Sequence, residues 1–106
     1  MRATFFRRGD RITGFDLDGH CGGVAGRDIV CAAVSSAAYM TANTLTEICG
    51  LDPELSEADG KLHLRLAEGE TARAADVMNG FYLHLQGLRD QYPTQIQVID
   101  SNDTEV

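Results

Sequence analysis

The sequence predicts a small α+β protein: a two-layer sandwich in which two helices pack on a mixed β-sheet, in the order ββαββαβ. Three observations predict it. Alternating apolar and polar residues mark short strands near residues 11–18 and 61–66. Turn residues sit between paired strand candidates at Gly9-Asp10 and Asp59-Gly60. Two longer stretches repeat apolar residues at spacings of three and four, the helical period.

Residues 3–8 and 11–18 read as a hairpin around Arg8-Gly9-Asp10. Thr13, Phe15 and Leu17 alternate with Gly14, Asp16 and Asp18, and this strand runs into Gly19-His20. Residues 21–26 hold three glycines, Gly22, Gly23 and Gly26, and read as a mobile connector. Asp28 is the expected N-cap of the first helix. Behind it Val30, Val34, Ala37, Thr41, Leu45 and Ile48 form one face of about five turns, and Gly50 is the expected C-cap.

A second hairpin is expected from 53–57 and 61–66 around Ala58-Asp59-Gly60. Leu62, Leu64 and Leu66 point one way, His63 and Arg65 the other. A second helix begins near 70 and shows Ala74, Met78, Phe81, Leu85, Leu88 and Tyr92 on one face; Pro93 ends it. Ile96 and Val98 form a last strand that can extend to Ile99, and residues 101–106 read as a frayed tail.

The chain of 106 residues reads as one domain, 1–106, with a modest core. No apolar run is expected to approach a membrane span, and the N-terminus lacks the pattern of a signal peptide, so the expected location is the cytoplasm with no membrane partner. Three cysteines without framework spacing argue against a disulfide scaffold and fit a reducing compartment. The net charge is −7, spread unevenly. Residues 1–27 carry five arginines against three aspartates, and the acidic excess lies beyond them. That balance argues against direct nucleic-acid binding. It suits solubility, and secondarily a basic protein partner.

Candidate chemistry concentrates between His20 and Cys31. With Asp28 as N-cap, Cys31 is the third helical residue. Its sulfur then lies near unpaired N–H groups and the positive end of the helix dipole, both of which stabilise a thiolate. The N–H groups at Cys31 and Ala32 are placed to hold an oxyanion during acyl transfer. His20 can fold back over the helix start as proton donor and acceptor. Asp28 can cap the helix or orient His20, with Asp16 and Asp18 as weaker orienting candidates. Zinc is the competing reading, with His20, Cys21 and Cys31 as ligands and Cys49 or His63 as a fourth. The spacing matches no zinc pattern, so no metal is assigned. Cys21 and Cys49 read as bystanders, Cys21 being oxidisable if it lies near Cys31. Gly22-Gly23-x-x-Gly26 lacks the Lys-Ser/Thr of a phosphate loop.

Gly19-His20, the glycine-containing spacer and Gly26-x-Asp28-Ile29-Val30-Cys31-Ala32-Ala33-Val34-Ser35 closely resemble the signature of the ribosomal-processing cysteine protease (Prp) family. The resemblance covers almost the whole chain. It implies a cysteine endopeptidase that removes a short N-terminal extension, ending in a Phe-rich motif, from a large-subunit ribosomal protein precursor. It implies His20 and Cys31 as the catalytic pair and Asp28 as the motif aspartate. It also implies a substrate-gating loop through Gly22, Gly23 and Gly26, a homodimer and no cofactor. Two features depart from the family: Cys21 follows His20 where a small residue such as Ala is more usual, and the spacer is slightly short. Both bear on the loop's gating. The reading from a different class is a non-catalytic ribosome-associated binding or assembly protein, in which the Cys31 segment is structural.

Overall fold

The computed structural model describes residues 1–19 and 27–103, with the backbone alone at Arg27 and Asp28. The elements are β1 (Arg2–Arg8), β2 (Arg11–Asp18), α1 (Arg27–Asn43) with a π-helical turn (Thr44–Ile48), β3 (Glu54–Ala58), β4 (Lys61–Arg65), α2 (Thr71–Gln91) and β5 (Gln97–Asn102). The strands form one mixed sheet in the order β3-β4-β2-β1-β5. Neighbours are antiparallel except β1 and β5, which run parallel. The expected two-layer α+β architecture and element order are those of the structure.

Alternation places the core. Ala3 and Phe5 of β1, Phe15 and Leu17 of β2, and Leu62 and Leu64 of β4 are buried beneath the helices. They meet Val30, Val34, Ala38 and Leu45 from α1 and its π turn, and Ala74, Met78, Phe81 and Leu85 from α2. Phe5, Phe15 and Phe81 pack as a tilted triangle with centroids 4.9 to 5.9 Å apart. Burying each ring contributes about 2 kcal/mol through area alone. Gly14 lets β2 and β4 approach closely: a Cβ there would lie 2.5 Å from the Leu64 carbonyl oxygen.

The structure departs from the sequence reading in four places. The first helix changes to a π turn at Thr44. One extra residue per turn rotates the face, so Leu45 stays buried while Ile48 is 79% exposed. Gly50 takes φ 68°, and the Leu51 N–H reaches back to the Leu45 carbonyl at 2.9 Å, closing the helix end as a glycine cap does. Second, α1 starts at Arg27, so Asp28 lies inside the first turn and is not the N-cap.

Third, residues 101–103 are not a frayed tail. Ser101 and Asn102 pair with Phe6 and Arg7, and the Asp103 N–H donates to the Arg7 carbonyl at 2.7 Å. Fourth, Ile29–Ile48 is long and apolar enough to cross a membrane by length and composition, against the expectation that no run would be. Here Val30, Val34, Ala38, Thr41, Ala42 and Leu45 bury one side of that segment in the core.

Candidate active site

Cys31 sits on α1 where the helix passes over the end of the sheet. It lines a cavity of about 490 Å³ together with Ser35, Ala38 and Tyr39 of the same helix. The facing wall is the end of β2 at Leu17 and Gly19, Met1, and the β3–β4 hairpin from Glu57 to Leu62. Cys31, Ser35 and Tyr39 are four residues apart, so they share one stripe of the helix. Gly19 ends the β2 side. Its N–H donates to the Gly60 carbonyl at 3.4 Å, and a Cβ there would fall 2.7 Å from the Met1 Cα. A side chain there would force the Met1 backbone or the strand end to shift.

Among the described residues, a side-chain contact ties the two sides of the cavity. The Tyr39 hydroxyl donates to Glu57 Oε1 at 2.6 Å. That hydrogen bond, with burial and the carboxylate charge, raises the Tyr39 pKa above its ordinary value. Ser35 stands in the sequence only as the end of the family signature, and neither Tyr39 nor Glu57 is a sequence candidate. The i, i+4, i+8 spacing from Cys31 carries the first two; Glu57 lies 18 residues from Tyr39, and nothing local announces that contact.

His20, Gly22, Gly23 and Gly26 lie outside the described residues, as does the Asp28 side chain. Cys31 is disulfide-bonded in the structure, contrary to the expectation of free thiols; Cys49 is free. With α1 starting at Arg27, Cys31 and Ala32 follow the first turn. Helix geometry commits their N–H groups to carbonyls four residues back, and the unpaired N–H groups lie before Cys31. The N–H groups of Cys31 and Ala32, expected to be unpaired, are thus committed within the helix. Ala32 is exposed and is not part of the cavity wall.

The secondary candidates lie elsewhere. Asp16 contacts His63 Nδ1, and Asp18 approaches Lys61 Nζ at 3.9 Å. Both aspartates line a separate depression with Arg2, Thr4 and Ser56 on the sheet face opposite the helices. Neither aspartate lines the Cys31 cavity. Cys49 ends the π turn, where its carbonyl accepts from Arg73. Among the described residues, no three His, Cys, Asp or Glu side chains are grouped to hold a metal ion.

A comparison with known families adds to this geometry. The profile of the family described as Cysteine protease Prp matches residues 1–97. The chain belongs to that family. By membership it is a cysteine peptidase. The ribosomal processing cysteine protease Prp of Staphylococcus aureus is 25% identical over 91 residues, covering 83% of this chain and 86% of the relative. Among solved structures, the essential ribosomal processing protease Prp from S. aureus in complex with a substrate peptide superposes with a TM-score of 0.86. It is 21% identical and covers 94% of this chain and 98% of that one. SMU.848 from Streptococcus mutans superposes with a TM-score of 0.83 at 27% identity, covering 96% and 94%.

Proposed function

We propose that this Prp-family chain is an endopeptidase that processes a ribosomal protein, removing the short N-terminal extension of a large-subunit ribosomal protein precursor after a Phe-rich motif. The observation that carries the reading is the placement of Cys31: a helix-borne cysteine on the wall of a cavity at the sheet end, in a chain of this family. The curated S. aureus relative, a ribosomal processing protease, supports the substrate class.

In the proposed mechanism His20 takes the proton from the Cys31 thiol, and the thiolate attacks the scissile carbonyl. Unpaired N–H groups at the start of α1 hold the oxyanion. His20 then protonates the leaving amine, and water attacks the thioester to release the acid and restore the thiol. Asp28 serves as the motif aspartate, and Gly22, Gly23 and Gly26 form the gating loop. A sulfur in a disulfide cannot attack a carbonyl, so the reaction starts from Cys31 after reduction.

The enzyme is placed in the cytoplasm, acting as a homodimer on a protein substrate without contacting nucleic acid. Met40, 66% exposed, and an apolar depression between α1 and α2 offer a surface for the second copy. Met40→Asp is expected to shift the protein to monomer in light scattering.

The test is mass spectrometry of a peptide spanning the extended N-terminus of the host's own ribosomal precursor. It is incubated under thiol reductant with wild type and with Cys31→Ala. One cut made by wild type alone supports the reading. No cut by folded, reduced wild type removes this precursor as the substrate.

A further inference from the structure

We infer that β3 is the strand to which the substrate adds, with the backbone of Leu55 and Glu57 as the pairing groups. This rests on the protease reading above and names how that site holds its peptide.

The register decides which groups are free. Asp59 and Gly60 both take positive φ, 49° and 79°, so a two-residue turn joins β3 to β4. In such a hairpin the flanking pair, here Ala58 and Lys61, exchanges both backbone hydrogen bonds, and the pairs alternate from there. Ser56–His63 and Glu54–Arg65 are then bonded pairs, while Glu57–Leu62 and Leu55–Leu64 are not. The N–H and C=O groups of Leu55 and Glu57 consequently point away from β4. β3 is an edge strand, and all five of its residues are exposed. Among the described residues no strand but β4 pairs with it.

The face decides what the added strand would reach. Leu62 and Leu64 are buried under the helices, so their cross-strand partners Glu57 and Leu55 face the helical side as well. The Glu57–Tyr39 hydrogen bond shows that directly. Glu57 and Ala58 line the same cavity as Cys31. An extended peptide on this edge therefore runs into the Cys31 cavity, with alternate side chains turned toward Tyr39 and Cys31. The other edge, β5, contributes no residue to that cavity. Continuity with Cys31 is what assigns the peptide substrate, and not another occupant, to β3.

The experiment is an N-methyl scan of the precursor peptide, with KM and kcat measured on the reduced enzyme. Methylation at two positions two residues apart is expected to raise KM about tenfold each, with the position between them near neutral. Leu55→Pro is expected to raise KM with kcat little changed. It deletes an outward N–H and leaves the β4 ladder intact. Hydrogen exchange by NMR on Cys31→Ala with the same peptide is expected to show new protection at the Leu55 and Glu57 amides.

A cut peptide with a flat scan and no protection overturns strand addition and leaves the protease reading standing. Protection at Leu55 and Glu57 without any cut by wild type supports strand addition and removes the precursor-processing reading. Neither cut nor protection overturns both. Should Leu55→Pro fail to fold, the scan and the exchange experiment decide alone.

Discussion

Asp103 accepts two hydrogen bonds from Arg65 Nη2, at 2.9 and 3.0 Å, joining the residue after the last strand to the end of β4. The Thr13 hydroxyl donates to the same carboxylate at 2.7 Å, and Arg8 stands 3.7 Å away. The Asp103 side chain is only 3% exposed, so removing it takes the carboxylate from the Arg65 guanidinium beside the core, while the Thr13 hydroxyl can still donate to the Phe6 carbonyl at 3.3 Å. Arg65 keeps 24% exposure and can turn partly to water. Asp103→Ala is therefore expected to cost about 1–3 kcal/mol, below the figure for a wholly buried pair. Urea denaturation checks it. An unchanged midpoint would show that the C-terminal tie contributes nothing.

The Tyr39–Glu57 bond gives a prediction with a definite sign. The hydrogen bond to Glu57, then burial, then the carboxylate charge raise the Tyr39 pKa above 10.0. A raised pKa means that the folded state holds the proton more tightly than the unfolded one. The contribution is complete below the unfolded value and is lost as pH rises through the folded value, so it fades only above pH 10. In a spectrophotometric titration of tyrosinate, Glu57→Gln is expected to move one of the chain's three tyrosines to lower pH. Identical curves for the two proteins would mean that the bond does not persist in solution.

The Asp59-Gly60 turn and the Leu62, Leu64, Leu66 alternation are local, so the second hairpin was legible to within a residue. The π turn was not: Thr44, Leu45 and Ile48 keep spacings that also suit an α-helix, and only tertiary packing turns Ile48 outward. The site divides in the same way. The Gly-His and Asp-x-x-Cys segments stand out in the chain itself. The cavity wall opposite Cys31 comes from a hairpin some 26 residues further on, beyond the reach of periodicity. Asp103 read as tail because its partners at Thr13 and Arg65 lie 90 and 38 residues away.

Asp16 lies away from the Cys31 cavity. From sequence it was a candidate to orient His20; in the fold it meets His63 on the face opposite the helices. Asp16→Asn keeps the shape of the side chain and is expected to leave kcat/KM for the precursor peptide within about twofold, since surface changes away from a site are nearly neutral. A loss of about a hundredfold at unchanged stability would return Asp16 to the catalytic group and contradict its placement.

Gly19 tests whether the strand end positions the histidine that follows it. A Cβ at Gly19 would stand 2.7 Å from the Met1 Cα, a backbone atom that cannot rotate aside. Met1 is itself held: its amino group donates to the Gln95 carbonyl at 3.1 Å, and its carbonyl accepts from the Gln97 N–H at 3.0 Å. In Gly19→Ala the end of β2 is thus the more mobile partner and moves away, carrying the attachment of His20 with it. Displacing a catalytic group by about 1 Å can cost on the order of a hundredfold in rate. Gly19→Ala is therefore expected to lower kcat by at least about tenfold with a smaller change in KM, because the peptide edge at β3 is untouched. Differential scanning calorimetry on the same protein separates this from unfolding. Wild-type kcat in a folded Gly19→Ala protein would mean that the Met1 contact does not set the position of the histidine.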